Sequence, residues 1–230
     1  HVVCRRQRQM CIRDRFRMDT LIINEIFYSI QGETSRSGFP TTFVRLTGCP
    51  LRCSYCDTEY AFKNGSKMSF NEIGSAIKKN DSKYVTVTGG EPLAQKDVIP
   101  FLKYLCDMNY SVSIETSNAY DISAIDSRVS VILDVKTPAS LESDKNLISN
   151  YKKLKPIDEI KFVICNLDDF NWARDYISSH NLDTLCPILF SPSYDDMPIS
   201  ELADLILKYS VNVRLQAQLH KTIWGPVNGK

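Results

Sequence analysis

The chain has 230 residues, 43% hydrophobic and 24% charged, which is enough to bury one full core and points to one domain. No apolar run approaches a membrane span. The formal net charge of +1 combines an excess of +5 in residues 1–17, six Arg against one Asp, with −4 from Met18 onward. Beyond the leader there is therefore no net positive footprint for nucleic acid, and neither nucleic acid nor a membrane is expected as partner.

The leader HVVCRRQRQMCIRDRFR has neither helical nor strand period and lacks the apolar segment of a secretory signal. The pattern that follows, MDTLIINEIFYSIQGE, reads like a natural protein start. The leader resembles translated sequencing-adapter read-through; a disordered basic arm and a targeting peptide are the alternatives. Fold and activity are expected to survive its removal, and Cys4 and Cys11 receive no role. Residues 18–230 are expected to form a single domain.

An apolar strand over Leu21–Phe27 leads into Tyr28-Ser-Ile-Gln-Gly-Glu33. Gln31 and Glu33 flank a glycine that lets backbone approach a ligand closely, although Gln-Gly-Glu is also a common surface turn. In the next strand, Thr42–Thr47, alternation puts Phe43, Arg45 and Thr47 on one face, Val44 and Leu46 on the other. An Arg inside a sheet is costly unless an acid pairs with it, so Arg45 is either an edge-strand surface charge or a clamp for an acid.

That strand delivers Cys49, Cys53 and Cys56, three thiols within eight residues. A four-iron cubane usually takes four thiolates, and a three-Cys loop leaves one iron open to a small molecule. Structural zinc wants four ligands in two short pairs, but the next Cys is Cys106 and the histidines are His1, His180 and His220. A disulfide framework is weaker still, because three cysteines this close cannot pair off. Asp57 and Thr58, just beyond, carry hard oxygens that suit magnesium or, equally, a solvated turn.

Ser69-Phe-Asn-Glu72 is a capping box ahead of a helix marked by Ile73, Ala76 and Ile77. A short buried strand, Tyr84–Thr88, then runs into Gly89-Gly90-Glu91-Pro92. Further on, helices are expected at Val98–Leu105, Leu141–Tyr151, Phe170–Ile177 and Leu202–Tyr209, and strands at Ser111–Glu115, Val129–Val135, Glu159–Cys165, Leu185–Phe190 and Val211–Leu215. Strand and helix alternate, which argues an α/β fold with a parallel sheet. Polar residues recur at the strand ends: Thr88, Glu115, Asp134 with Lys136, Ser191, Gln216, Gln218 and His220. In barrels that is where sites assemble, and a chain this short predicts an incomplete TIM-like barrel of six or seven mostly parallel strands with outer helices. Cys106, Cys165 and Cys186 read as small core residues.

The cysteine spacing, with Tyr55 before the third Cys and TGGEP one helix later, resembles the radical S-adenosylmethionine (SAM) superfamily. The resemblance implies a 4Fe–4S cluster on Cys49, Cys53 and Cys56, whose bare iron chelates SAM and cleaves it to a 5′-deoxyadenosyl radical. It also implies SAM contacts from Tyr55, Asp57, Gly90, Asp134 and Lys136.

YSIQGE, FVRLTGCPLRCSYCDT, TGGEP, LDVKTP and RLQAQLHKTIWGP together are similar to the 7-carboxy-7-deazaguanine synthase family over nearly everything from Met18 to Pro226. That similarity implies conversion of 6-carboxytetrahydropterin to 7-carboxy-7-deazaguanine, with ammonia loss and Mg2+ held at Thr58. Substrate contacts would come from Ile30, Gln31, Gly32, Glu33, Arg45 and Thr88. It further implies a flavodoxin- or ferredoxin-type electron donor, a homodimer and a cytoplasmic location. In that family the C-terminal carboxylate or its neighbours can reach the substrate. Here the chain runs on to Lys230, which leaves that contact open, with His220 and Lys221 as candidates. The competing readings are a radical SAM activase acting on a protein partner and a non-catalytic iron–sulfur or zinc module.

Overall fold

A computed structural model describes residues 19–229. The leader, with Cys4 and Cys11, lies outside the described residues. The strands are β1 (Thr20–Ile30), β2 (Pro40–Leu46), β3 (Ser66–Ser69), β4 (Tyr84–Gly89), β5 (Ser111–Thr116), β6 (Ser130–Asp134), β7 (Glu159–Ile164), β8 (Ile188–Pro192) and β9 (Arg214–Leu215). The α-helices are α1 (Phe70–Ile77), α2 (Val98–Asp107), α3 (Leu167–His180), α4 (Ile199–Lys208) and α5 (Leu219–Trp224). All nine strands form one sheet in the order β3-β1-β2-β4-β5-β6-β7-β8-β9.

From β2 to β9 every pairing is parallel, so seven strands make the expected partial barrel. Two antiparallel strands, β1 and β3, extend its first edge. They were not foreseen as such: β3 is only four residues long, and β1 lies beside β2 through a reversed connection that a strand-helix count does not reveal. The register slips between Ile23 and Glu25, a β-bulge whose extra residue, Asn24, hydrogen-bonds by its amide to the Lys63 carbonyl at 3.1 Å.

Alternation along the strands sorts the core from the cavity. Val44, Leu46, Val85, Val87, Ile114, Val131, Leu133, Ile160 and Phe162 face outward into one apolar cluster with Ile73, Phe101, Leu105, Phe170 and Leu202 of the helices. The intervening residues, among them Arg45, Thr88, Glu115, Asp134, Lys161 and Ser191, face a shared cavity. Cys106, Cys165 and Cys186 are buried, as expected of small core residues.

The barrel is not closed by strand pairing. The Leu219 N–H donates to the Gly32 carbonyl at 3.0 Å, and Gln218 Nε2 to the Glu33 carboxylate at 2.9 Å, so the C-terminal segment meets the turn after β1 through loop contacts. A side chain at Gly32 would run into His220, which is why this turn takes a residue without one.

Residues 141–151 contradict the expected helix. They form short 3-10 turns, Ser143–Lys145 and Ile148–Lys153. Leu141 sits in the left-handed region (φ 64°) and, with Ile148, is exposed, so no apolar stripe forms. Instead the Asn146 amide bridges the Lys136 backbone, accepting its N–H at 3.0 Å and donating to its carbonyl at 2.8 Å. The strand expected from Leu185 starts at Ile188, and that expected from Val211 shrinks to Arg214–Leu215. Helix α5 had no sequence signal, being only six residues long and without a buried residue.

The capping box ahead of α1 is formed reciprocally: Ser69 N–H donates to the Glu72 carboxylate at 2.7 Å, and Glu72 N–H to Ser69 Oγ at 3.3 Å. Ser69→Ala is expected to destabilise the fold by about 1 kcal/mol, read as a lower urea midpoint at unchanged slope.

Candidate active site

One cavity of about 610 Å³ opens at the C-terminal ends of the parallel strands. It is lined by fourteen of the fifteen site residues expected from sequence. Gly32 is the exception; its role is the backbone contact to Leu219 and the close approach of His220.

The cysteine loop leaves β2 through Gly48, whose φ of 97° suits glycine. The Gly48 carbonyl accepts Glu91 N–H at 2.8 Å, and its N–H donates to Ala61 O at 2.9 Å. Gly90 packs so closely on Gly48 and Cys49 that a β-carbon there would collide with both, which explains the second glycine of TGGEP. All three loop thiols are free, half-buried and turned to the cavity. Among the described residues no three Cys, His, Asp or Glu converge as a single ion requires. That geometry disfavours zinc, whereas a cubane spreads its thiolates over separate irons, so the donor set fits a cluster.

Across from the thiols, Lys136 pairs with Asp134 at 2.8 Å and stands 5.6 Å from the Tyr55 ring centre. The Tyr55 hydroxyl and Asp134 Oδ1 are buried without a hydrogen-bond partner. Buried polar atoms left unpaired are costly, and both belong to residues that line the cavity.

The opposite wall is a set of matched charges. Glu33 takes Lys161 Nζ at 2.9 Å on one oxygen and Gln218 Nε2 at 2.9 Å on the other. Burial works to raise the Glu33 carboxyl, but the Lys161 charge and these hydrogen bonds override it and hold it at about 2. Glu115 is different: it takes only the Thr88 hydroxyl, at 3.1 Å, and burial pushes its carboxyl up, outweighing the pull of Lys161. Gln31 is spent internally, donating to Thr86 Oγ1 at 3.3 Å and accepting Glu33 N–H at 3.2 Å, so it shapes the turn.

Arg45 has a protein partner. Its Nε meets Glu25 Oε1 at 2.7 Å, and the Tyr60 hydroxyl donates to the same oxygen at 2.8 Å. The β1 bulge delivers Glu25 there. The surface-charge alternative is excluded, since the Arg45 side chain is 13% exposed and stacks 5.5 Å from the Phe27 ring centre. Its two terminal nitrogens are not engaged by Glu25, which leaves a fork for a second acid.

Asp57 pairs with Lys221 at 2.8 Å, which ties α5 to the cysteine loop. Thr58 Oγ1 lies 3.9 Å from Cys56 Sγ and does not cap the 3-10 turn that follows. His220, whose ring burial pushes toward the neutral form, and residues 226–229 also line the cavity.

Sequence reasoning missed Lys161, Glu25 and Tyr60 as site residues. Lys161 had the same signal as Arg45, a cation inside an apolar strand, and was findable by the same argument. Glu25 was not, because only the bulge turns it inward.

The Radical SAM superfamily model matches residues 43–137, from Phe43 through the glycine turn to Thr137. The 7-carboxy-7-deazaguanine synthase of Chlorobaculum tepidum is 41% identical over 90% of this chain and 95% of its own length. That of Koribacter versatilis is also 41% identical, over 89% of this chain and 97% of its own. The chain belongs to the 7-carboxy-7-deazaguanine synthase family. The crystal structure of QueE from Escherichia coli superposes with a TM-score of 0.68 at 23% identity, covering 87% of this chain and 95% of that one, and shares the fold. Membership makes this chain a radical SAM enzyme, with a 4Fe–4S cluster and SAM as its cofactors.

The Glu33 pair predicts an acid signature for this member of the family. A carboxyl held at about 2 against an ordinary 4.5 stabilises the fold fully above pH 4.5, and that stabilisation is lost as pH falls toward 2. Lys161→Met removes the main charge that opposes burial at Glu33 and leaves the Gln218 hydrogen bond in place. The stability gap between wild type and Lys161→Met, measured by urea unfolding, should be smallest near pH 2 and widen as pH rises, until Glu33 is ionised in the variant as well. A gap independent of pH would mean that Lys161 does not hold Glu33 ionised.

Proposed function

We propose that this enzyme converts 6-carboxy-5,6,7,8-tetrahydropterin to 7-carboxy-7-deazaguanine, with loss of ammonia, as a step of 7-deazapurine (queuosine-type) biosynthesis. What carries the reading is the joining in one cavity of a three-thiol loop, a strand-end glycine turn and a wall of paired and unpaired acids and bases. The relatives of matching length named for this activity support it.

When bound on Cys49, Cys53 and Cys56, the cluster with SAM supplies the radical chemistry; everything else falls to side chains. Gly90 gives SAM close access to backbone, while Asp134, Lys136 and Tyr55 line the cavity as its side-chain contacts. At the other wall the ionised Glu33 accepts N–H groups of the pterin edge. Glu115, whose carboxyl burial pushes up, stands beside Thr88 in the same cavity. The free fork of Arg45 takes the substrate carboxylate, with Glu25 and Tyr60 fixing its direction. Thr58 would hold Mg2+, an ion that takes few protein ligands. His220, Lys221 and residues 226–229 complete the wall beside Glu33 and the cysteine loop.

We also infer a homodimer, an external flavodoxin- or ferredoxin-type reductant and a cytoplasmic setting. Among the described residues no helix is long and apolar enough to cross a membrane. The activase reading fits less well, because an enzyme that acts on a protein has no need of an enclosed acid-and-base wall. A zinc module fits less well again, since no single-ion site forms among the described residues.

The test is turnover of the carboxytetrahydropterin by reconstituted protein under strict anoxia, followed by mass spectrometry. Product formation is expected in the wild type and loss of SAM cleavage in Cys49→Ala, Cys53→Ala and Cys56→Ala. Arg45→Ala should raise the substrate KM at least 10-fold, the loss of a charge-assisted bidentate contact, while leaving the SAM KM within about 2-fold. Thr58→Ala should change the magnesium dependence of the rate. SAM cleavage without any deazaguanine product would remove this substrate assignment.

A further inference from the structure

Asp169 is a buried acid that the site does not use. It lies in the first turn of α3, 1% exposed and outside the cavity. It does not cap the helix; the cap is Asn166, whose side chain accepts Asp169 N–H at 2.9 Å. Instead its Oδ1 accepts Ala139 N–H at 3.0 Å and its Oδ2 accepts Cys165 N–H at 3.1 Å, while the Thr137 hydroxyl shares its single proton between Oδ2 at 3.1 Å and the Val163 carbonyl at 3.0 Å. One carboxylate thereby fastens the loop after β6 to the loop after β7.

The turn it holds, Pro138–Ser140, grips the cysteine loop on its other side. Ser140 O accepts Ser54 N–H at 3.2 Å, and Ala139 O accepts the Ser54 hydroxyl at 2.6 Å. Two residues on, the Glu142 carboxylate accepts Arg52 N–H. These three bonds bracket Cys53 on both sides. On the near side of Thr137 stands Lys136, above the Tyr55 ring.

We propose that Asp169 is the positioning residue of the cysteine loop: through the 137–142 turn it sets where Cys53 and Tyr55 stand, and with them the environment of the cluster. The inference rests on the cluster assignment given above. Each oxygen of Asp169 faces a backbone N–H, of Ala139 and of Cys165, so an acid fits and an amide does not. In Asp169→Asn the NH2 group must face either Ala139 N–H or Cys165 N–H, and the turn shifts. Ser54→Ala cuts the same brace at its far end and leaves Asp169 untouched.

The experiment compares anaerobically reconstituted wild type, Asp169→Asn and Ser54→Ala. The readouts are the rate of iron loss to a chelator, the electron paramagnetic resonance spectrum of the reduced cluster, and the thermal midpoint as a check of folding. Displaced outer groups around a metal centre typically cost 10–100-fold, so iron loss about 10-fold faster is expected in Asp169→Asn, with shifted g-values. A smaller change of the same kind is expected in Ser54→Ala, and both variants should remain folded. Should Asp169→Asn fail to fold, Ser54→Ala decides alone. Folded variants with wild-type iron retention and g-values overturn the brace. A wild-type protein that assembles no cubane overturns the cluster assignment and the brace together.

Discussion

The constraint on which this molecule depends is the pairing of buried charge inside an open barrel. A charge taken from water is costly unless matched, and four cations face the cavity: Arg45, Lys136, Lys161 and Lys221. Each meets a carboxylate, respectively Glu25, Asp134, Glu33 and Asp57. These pairs join β1 to β2, close on the end of β6, tie the turn after β1 to β7, and hold α5 against the cysteine loop. Two of them, Glu33–Lys161 and Asp57–Lys221, link elements that no strand pairing joins.

Glu115 is the acid left out of this matching, with a hydroxyl for a partner. Its carboxyl is pushed up by burial while that of Glu33 is held down by Lys161, so the same cavity holds two acids in different electrostatic settings. A flat heterocycle with donor and acceptor edges is the kind of molecule that such a cavity orients.

Much of this was legible in the chain itself, and the reasons are local. The capping box of α1, the apolar faces of α1 to α4 and the alternation in β2 are short-range patterns that tertiary contacts only reinforced. The cysteine loop and TGGEP were legible because their chemistry demands particular residues at fixed spacing. What escaped is what depends on distant contacts. β1 and β3 are antiparallel because of their neighbours, Glu25 reaches the site through a bulge, and residues 141–151 lose their helix to Asn146 bonding the Lys136 backbone. Arg45 shows the boundary well. Its cost inside a strand was evident, but whether a protein acid or a ligand offset that cost was not, and Glu25 supplies the first partner while leaving a fork for another.

The account stands on three thiols holding a cubane that is incomplete in protein ligands. The most direct measurement is the electron paramagnetic resonance spectrum of anaerobically reconstituted, reduced protein recorded with and without SAM. The account predicts a reduced cubane signal whose g-values move when SAM is added. A cubane signal indifferent to SAM, or zinc bound by the three thiols with no cubane at all, would contradict it.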